Sequence, residues 1–179
     1  MTFYGKLAQG FTRDTFIDGE STSIIPLDRF GRQIGLPPNS TANASFLLQL
    51  RYILVQDLDR DDDGRPETLR LAFATPRRWL ADGAEIKVER APTAFGEVSY
   101  TLKSSLGAGT VSAEVSLPPV APRKTLLRLR APGGFHVLQA KLEGQGDARP
   151  IPLDHDDIDL TGLTGVVRIS ATCGRGDAK

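Results

Sequence analysis

The 179-residue chain carries 22 basic and 22 acidic side chains, so its formal net charge of zero gives it no basic field for nucleic acid. Hydrophobic residues make up 40% and charged residues 25%, which is the balance of a globular protein and excludes a disordered chain. The single cysteine, Cys173, excludes an intrachain disulfide and a metal cluster built on thiolates.

The N-terminal region does not have the pattern of a signal peptide. Its first residues, MTFYGKLAQGFTRD, lack the continuous apolar stretch of a signal peptide. No run in the chain approaches the roughly 20 apolar residues of a membrane span. We therefore expect a soluble chain with no membrane partner, and its location stays unknown. Residues 1–38 are irregular, with Phe3, Leu7 and Phe11 spaced as on a short helix.

One long helix is predicted after Pro37 and Pro38. Asn39 or Ser40 can cap its N-terminal amides, and the helix is expected to reach about Val55. Its apolar residues repeat with the period of an amphipathic helix: Phe46, Leu47, Leu50, Ile53 and Leu54. This stripe needs a partner surface to cover it.

From Thr68 onward the apolar residues alternate with polar ones, as half-buried strands require. The 18 glycines and 12 prolines supply turns between the segments. No helical pattern separates the strands, which favours antiparallel pairing. We predict a mainly β fold, an antiparallel β-sandwich of about seven or eight strands with an N-terminal helical arm. The arm is assigned residues 1–56 and the sandwich residues 57–179.

The segment DLDRDDDGRPE lies between the helix and the first of these strands. Asp59, Asp61, Asp63 and Glu67 occupy positions 1, 3, 5 and 9 of a loop with Gly64 at position 6, which is the spacing of oxygen ligands around calcium. Position 12 holds an arginine instead of glutamate, so the loop is not an EF-hand. The loop is either a calcium site or a solvated turn, and the sequence leaves both open.

An aromatic residue beside two arginines forms a second candidate site. Trp79 follows Arg77 and Arg78, and a tryptophan next to guanidinium groups can stack on a sugar ring. Tyr100 is a further candidate for stacking on carbohydrate. The alternative for Trp79 is a position in the core of the sandwich.

Catalytic patterns are missing from the sequence. The chain has no G-x-S-x-G motif. A phosphate-binding loop is followed by a helix, whereas the glycine-rich segments of this chain are followed by predicted strands. A pair of carboxylates from distant parts of the chain, with Glu20 as one member, remains an open hydrolase alternative. We therefore expect no catalysis from this chain by itself and leave its status as an enzyme uncertain.

Two blocks of sequence carry a family resemblance. FYGKLAQGFTRDTFIDGES followed by LPPNSTANASFLLQLRYILV resembles the end of the (α/α)-barrel domain in a group of large bacterial glycoside-hydrolase-like proteins. ATPRRWLADGAEIKVERAPTAFGEVSYTLKSSL, with SAEVSLPP and LLRLRAP, is similar to the β-sandwich that closes those proteins. The resemblance implies the last helix of a barrel followed by its sandwich.

The resemblance implies a non-catalytic accessory module that braces the catalytic barrel of a carbohydrate-active enzyme. Its partner would be that barrel, in the same or a neighbouring chain. The alternative is a self-standing carbohydrate-binding module, assisted by calcium in the acidic loop. A homodimer formed through the N-terminal helix is also left open.

Overall fold

The computed structural model describes residues 40–144 and 148–175. The chain divides into two compact units, Met1–Tyr52 and Ile53–Lys179. In the first unit the description is confined to helix α1, Ser40–Leu54, which continues into the second unit. The division of the chain at residue 56 stays a prediction. The predicted short helix with Phe3, Leu7 and Phe11, and the cap at Asn39, lie outside the described residues.

The second unit consists of two β-sheets. One sheet has the strand order β1-β2-β6-β10-β9 and the other has the order β3-β4-β5-β11-β7-β8. The chain crosses between the sheets repeatedly, since β1 and β2 belong to the first, β3 to β5 to the second, and β6 to the first again. The strands are β1 Val55–Leu58, β2 Thr68–Leu71, β3 Glu85–Thr93, β4 Gly96–Ser105, β5 Thr110–Ser116, β6 Lys124–Arg128, β7 Phe135–Glu143, β8 Arg149–Pro150, β9 Leu153–Asp154, β10 Asp157–Asp159 and β11 Val166–Arg175.

One hydrophobic core lies between the sheets. Leu69, Leu71 and Leu127 contribute to it from the first sheet, and Leu102 and Ile169 contribute from the second. All five side chains are essentially inaccessible to solvent. Because successive side chains of a strand point to opposite faces, every second residue along most of the long strands is buried and the residues between them are partly or fully exposed.

The predicted fold class is confirmed. The sequence pattern located the seven longer strands β2 to β7 and β11, whose apolar residues alternate over at least four positions. The other four strands are β1, whose sequence VQDL has no clear alternation, and β8 to β10, which are only two or three residues long. Eleven strands are present in the described residues.

One strand pair departs from the antiparallel pattern. Strands β2 and β6 run parallel, with Thr68 opposite Lys124 and Leu71 opposite Leu127. Parallel strands need a long crossover connection. Here strands β3 to β5 of the other sheet form that connection, so the helix usually found between parallel strands is replaced by a β-meander.

The lone thiol belongs to the core. Cys173 lies on β11 and is only 4% exposed. Burial raises the pKa of its thiol, which disfavours the reactive thiolate. Cys173 therefore acts as a small apolar side chain. No helix among the described residues is long and apolar enough to cross a membrane.

Candidate functional site

The acidic loop connects two strands of a hairpin. Strands β1 and β2 pair antiparallel from Val55 opposite Leu71 to Leu58 opposite Thr68. The Glu67 amide closes the ladder by donating to the Leu58 carbonyl at 3.0 Å. Residues 59–66 thus form an exposed turn whose two ends are fixed by a β-ladder.

Carboxylates of the loop accept hydrogen bonds from the amides of its own backbone. Asp59 accepts hydrogen bonds from the Asp63 amide at 3.3 Å and the Gly64 amide at 2.6 Å. Glu67 accepts the Arg60 amide at 3.0 Å. Gly64 has a φ of +81°, which glycine adopts without steric strain. The loop therefore has a defined conformation with its acidic side chains gathered on it.

Three of the four predicted ligands converge. Oxygen atoms of Asp59, Asp61 and Glu67 all lie within 4.8 Å of one another, a spacing at which one cation could contact all three. The fourth predicted ligand, Asp63, does not belong to this group, and its carboxylate accepts the Arg65 amide at 2.8 Å. The spacing in the sequence predicted four ligands, and three of them form a group that could hold a metal ion.

The predicted carbohydrate-binding segment is a short 3₁₀-helix, Arg77–Leu80. Arg77 and Arg78 are exposed, and Arg77 donates from Nη1 to the Ala131 carbonyl at 2.8 Å. Trp79 is partly buried and packs against the core. A large part of the indole is therefore used in packing, which leaves the two arginines as the accessible members of this segment.

Tyr100 does not share a surface with that segment. It lies on β4, only 2% of the residue is exposed, and its hydroxyl donates to the Leu54 carbonyl at 3.0 Å. Desolvation raises the pKa of the phenol well above its usual range. The ring therefore offers no face on which a sugar could stack. The period-two pattern of Val98, Tyr100 and Leu102 is the signal of this inward orientation.

The sequence reasoning did not identify a cluster of arginines around Phe73. The guanidinium carbons of Arg70 and Arg128 lie 4.3 Å and 3.6 Å from the centre of the Phe73 ring. In the sequence, the pattern that could have indicated this cluster is the alternation of Leu127 and Leu129 with Arg128 and Arg130. This alternation places the two arginines together on the outer face of one strand.

The described residues hold no catalytic triad. His155 contacts Asp154 at 2.8 Å on an exposed turn, and His136 lies 3.6 Å from Asp156. In the part of the chain that the structure describes, no hydroxyl or thiol is hydrogen-bonded to either imidazole. Glu20, named above as a hydrolase carboxylate, lies outside the described residues.

Comparisons with known proteins identify no relative. No protein-family model, no curated protein and no solved structure matches the chain.

Proposed function

We propose that this chain is a non-catalytic accessory module that braces the catalytic barrel of a carbohydrate-active enzyme. The observation that carries the proposal is the apolar surface of helix α1. Leu47 is 63% exposed, Leu48 is 50% exposed and Tyr52 is 45% exposed. Large apolar side chains so close together on one helix are typical of a surface that another element covers. In the family that the sequence resembles, neighbouring barrel helices would cover it.

The sandwich is suited to a bracing role because it holds its own fold. Its core is one continuous cluster from Val55 to Cys173, assembled from both sheets. A module with a complete core needs no partner to fold. It can therefore stabilise a partner through the apolar area that the two bury together, at about 25 cal/mol per Å².

Association with a barrel tests this proposal directly. The (α/α)-barrel encoded in frame with this chain or beside it should copurify with the chain when both are expressed together. A Leu47→Ser/Leu48→Ser double variant should lose that association while its sandwich unfolds at the unchanged midpoint, since both side chains are exposed. Size-exclusion chromatography of each complex gives the readout.

Three outcomes would contradict the bracing role. These are the lack of an encoded barrel, a barrel that never copurifies, and equal association of the wild type and the double variant. Self-association of the chain that the double variant abolishes would instead assign the helix surface to a homodimer.

A second function is supported by the acidic trio. We propose as the alternative a self-standing carbohydrate-binding module in which Asp59, Asp61 and Glu67 bind calcium and hold the loop. Calcium prefers carboxylate oxygens, and the three carboxylates lie close together on a loop whose ends are held by the β1–β2 hairpin. The accessible Arg77 and Arg78 beside Trp79 would contact the sugar.

Calcium should raise the unfolding midpoint if this alternative is correct. A ligand that binds only the folded state at 100 times its Kd stabilises that state by about 2.7 kcal/mol. We therefore expect the midpoint in millimolar calcium to exceed that in excess chelator by several degrees, as measured by thermal denaturation. The Asp59→Asn variant should lose most of this difference.

Asp62→Asn is the matched control for that measurement. Asp62 lies in the same loop, is exposed and does not belong to the trio. Its φ of +61° is one that asparagine also tolerates. An equal loss in both variants would show a nonspecific charge effect, and no calcium-dependent shift in the wild type would leave the loop as a solvated turn. Saturable binding of neutral oligosaccharides would separate the binding module from a pure brace.

A further inference from the structure

Four arginines lie together on the outer side of the first sheet. Leu69, Leu71, Leu127 and Leu129 are fully buried, so the side chains that alternate with them point away from the core. Those side chains are Arg70 on β2, Arg128 at the end of β6 and Arg130 just beyond it. Arg77, on the 3₁₀-helix, is the fourth.

Two of these arginines are held against Phe73. Arg128 forms a two-point ion pair with Asp157, in which Nη2 lies 2.6 Å from Oδ2 and Nε contacts Oδ1. The same guanidinium lies 3.6 Å from the Phe73 ring centre, and that of Arg70 lies 4.3 Å from it. Stacking on the ring therefore positions both guanidinium groups, and the ion pair with Asp157 fixes that of Arg128 in addition.

The other two arginines are fixed through main-chain carbonyls. Arg77 donates to the Ala131 carbonyl at 2.8 Å, and Arg130 donates to the Thr75 carbonyl at 3.0 Å. These reciprocal bonds tie residues 75–77 to residues 130–131. Each bond uses one of the five N–H groups of a guanidinium, so both arginines retain donors.

Positive charge is in excess here. In residues 40–144 and 148–175, Arg70, Arg77 and Arg130 form no ion pair, and the buried Nε of Arg70 has no hydrogen-bond partner. Burial and neighbouring guanidinium groups lower the pKa of Arg70 and of Arg130. Arg70 and Arg130 are partly buried and are repelled by neighbouring guanidinium groups, and an anion that binds between the arginines relieves this repulsion.

A groove opens beside these groups. It has a volume of about 350 Å³ and its lining includes Phe73, Arg77, Arg128, Arg130, His155 and Asp156. Asp156 is the only carboxylate among the lining residues, and one of its oxygens already accepts the Val137 amide at 3.1 Å. Because Arg128 is paired with Asp157, the charge of the groove comes from Arg77 and Arg130, which face one partly satisfied carboxylate.

We propose that this groove binds an oxyanion group, a carboxylate, sulfate or phosphate, through Arg77 and Arg130. The fork of a guanidinium matches two oxygens of such a group, and two forks from different segments can contact it from two sides. Arg128 also lines the groove, and its ion pair with Asp157 fixes its position and compensates its charge. The site is separate from the calcium loop and does not depend on the bracing role.

Titration with simple anions tests the groove. Sodium phosphate, sodium sulfate, sodium glucuronate and an oligogalacturonate would each be added at constant ionic strength and followed by ¹H–¹⁵N NMR spectra. We expect saturable shifts in residues 73–77, 128–131 and 155–156. The four titrations distinguish the possible ligands. Stronger binding of the oligogalacturonate indicates an acidic sugar. Stronger binding of phosphate or sulfate indicates a free inorganic or ester oxyanion.

Arginine variants show whether the guanidinium groups are responsible. Arg77→Gln/Arg130→Gln should weaken binding by about tenfold or more, since hydrogen bonds from charged donors are stronger than those from neutral ones. Arg168→Gln is the control, because Arg168 is exposed on the other sheet and its loss removes a positive charge far from the groove.

Several results would overturn the proposal. They are an absence of saturable shifts with all four anions, shifts spread over the whole surface, and equal weakening by Arg168→Gln. If the double variant does not fold, the wild-type titration still decides, because the location of its shifts requires no substitution.

Discussion

Truncating Leu127 to alanine should lower the free energy of unfolding by about 3–5 kcal/mol. Leu127 is fully buried and lies on β6, the middle strand of the first sheet, between β2 and β10. Its removal leaves a cavity whose walls are held by two strand ladders and cannot collapse easily. Urea denaturation followed by circular dichroism measures the loss.

Leu138→Ala is the matched control for this core truncation. Leu138 lies on β7 but is 62% exposed, so the same change of side chain should alter the free energy of unfolding by no more than about 0.5 kcal/mol. Similar losses in the two variants would contradict the assignment of the core to the space between the sheets.

Replacing Gly96 with alanine should cost about 2–4 kcal/mol. Gly96 begins β4 with a φ of +108°, where side chains other than that of glycine are strained. A Cβ atom added there would lie 2.7 Å from Cδ and 2.9 Å from Cγ of Pro119. The proline ring is rigid, so the hairpin or the Pro119 segment must shift. Urea denaturation of the variant measures the loss in the free energy of unfolding and any change in its dependence on denaturant concentration.

Gly134→Ala separates steric overlap from backbone strain. Gly134 has a φ of +74°, but an added Cβ atom would meet nothing within 4 Å. Only the cost of the backbone conformation remains, about 1 kcal/mol. If Gly96→Ala proved no more destabilising than Gly134→Ala, the close packing of the β3–β4 turn against Pro119 would be wrong.

The fold was predictable where burial alternates over several residues. In β5 the sequence TVSAEVS places Val111, Ala113 and Val115 inward, and the pattern alone specifies a strand with one buried face. Strand β8 has only Arg149 and Pro150, too few residues to show a period. The parallel pairing of β2 with β6 was not predictable, because strand order depends on contacts between distant segments.

The candidate sites were predictable to different extents. The acidic trio follows from the local spacing of Asp59, Asp61 and Glu67, since a tight loop brings nearby residues together. The oxyanion groove draws Arg77 and Arg130 from segments far apart in the chain, so no local pattern could join them. The period-two pattern did indicate that Arg128 and Arg130 share a face, and only the strand order placed Arg70 beside them.

Differential scanning calorimetry of the barrel, with and without this chain, tests the bracing role most directly. We expect the chain to raise the unfolding midpoint of the barrel by about 4 °C or more, because a partner that binds only the folded state stabilises it. The Leu47→Ser/Leu48→Ser variant should produce no such rise. A barrel that unfolds at the same temperature with and without the wild-type chain would contradict the account.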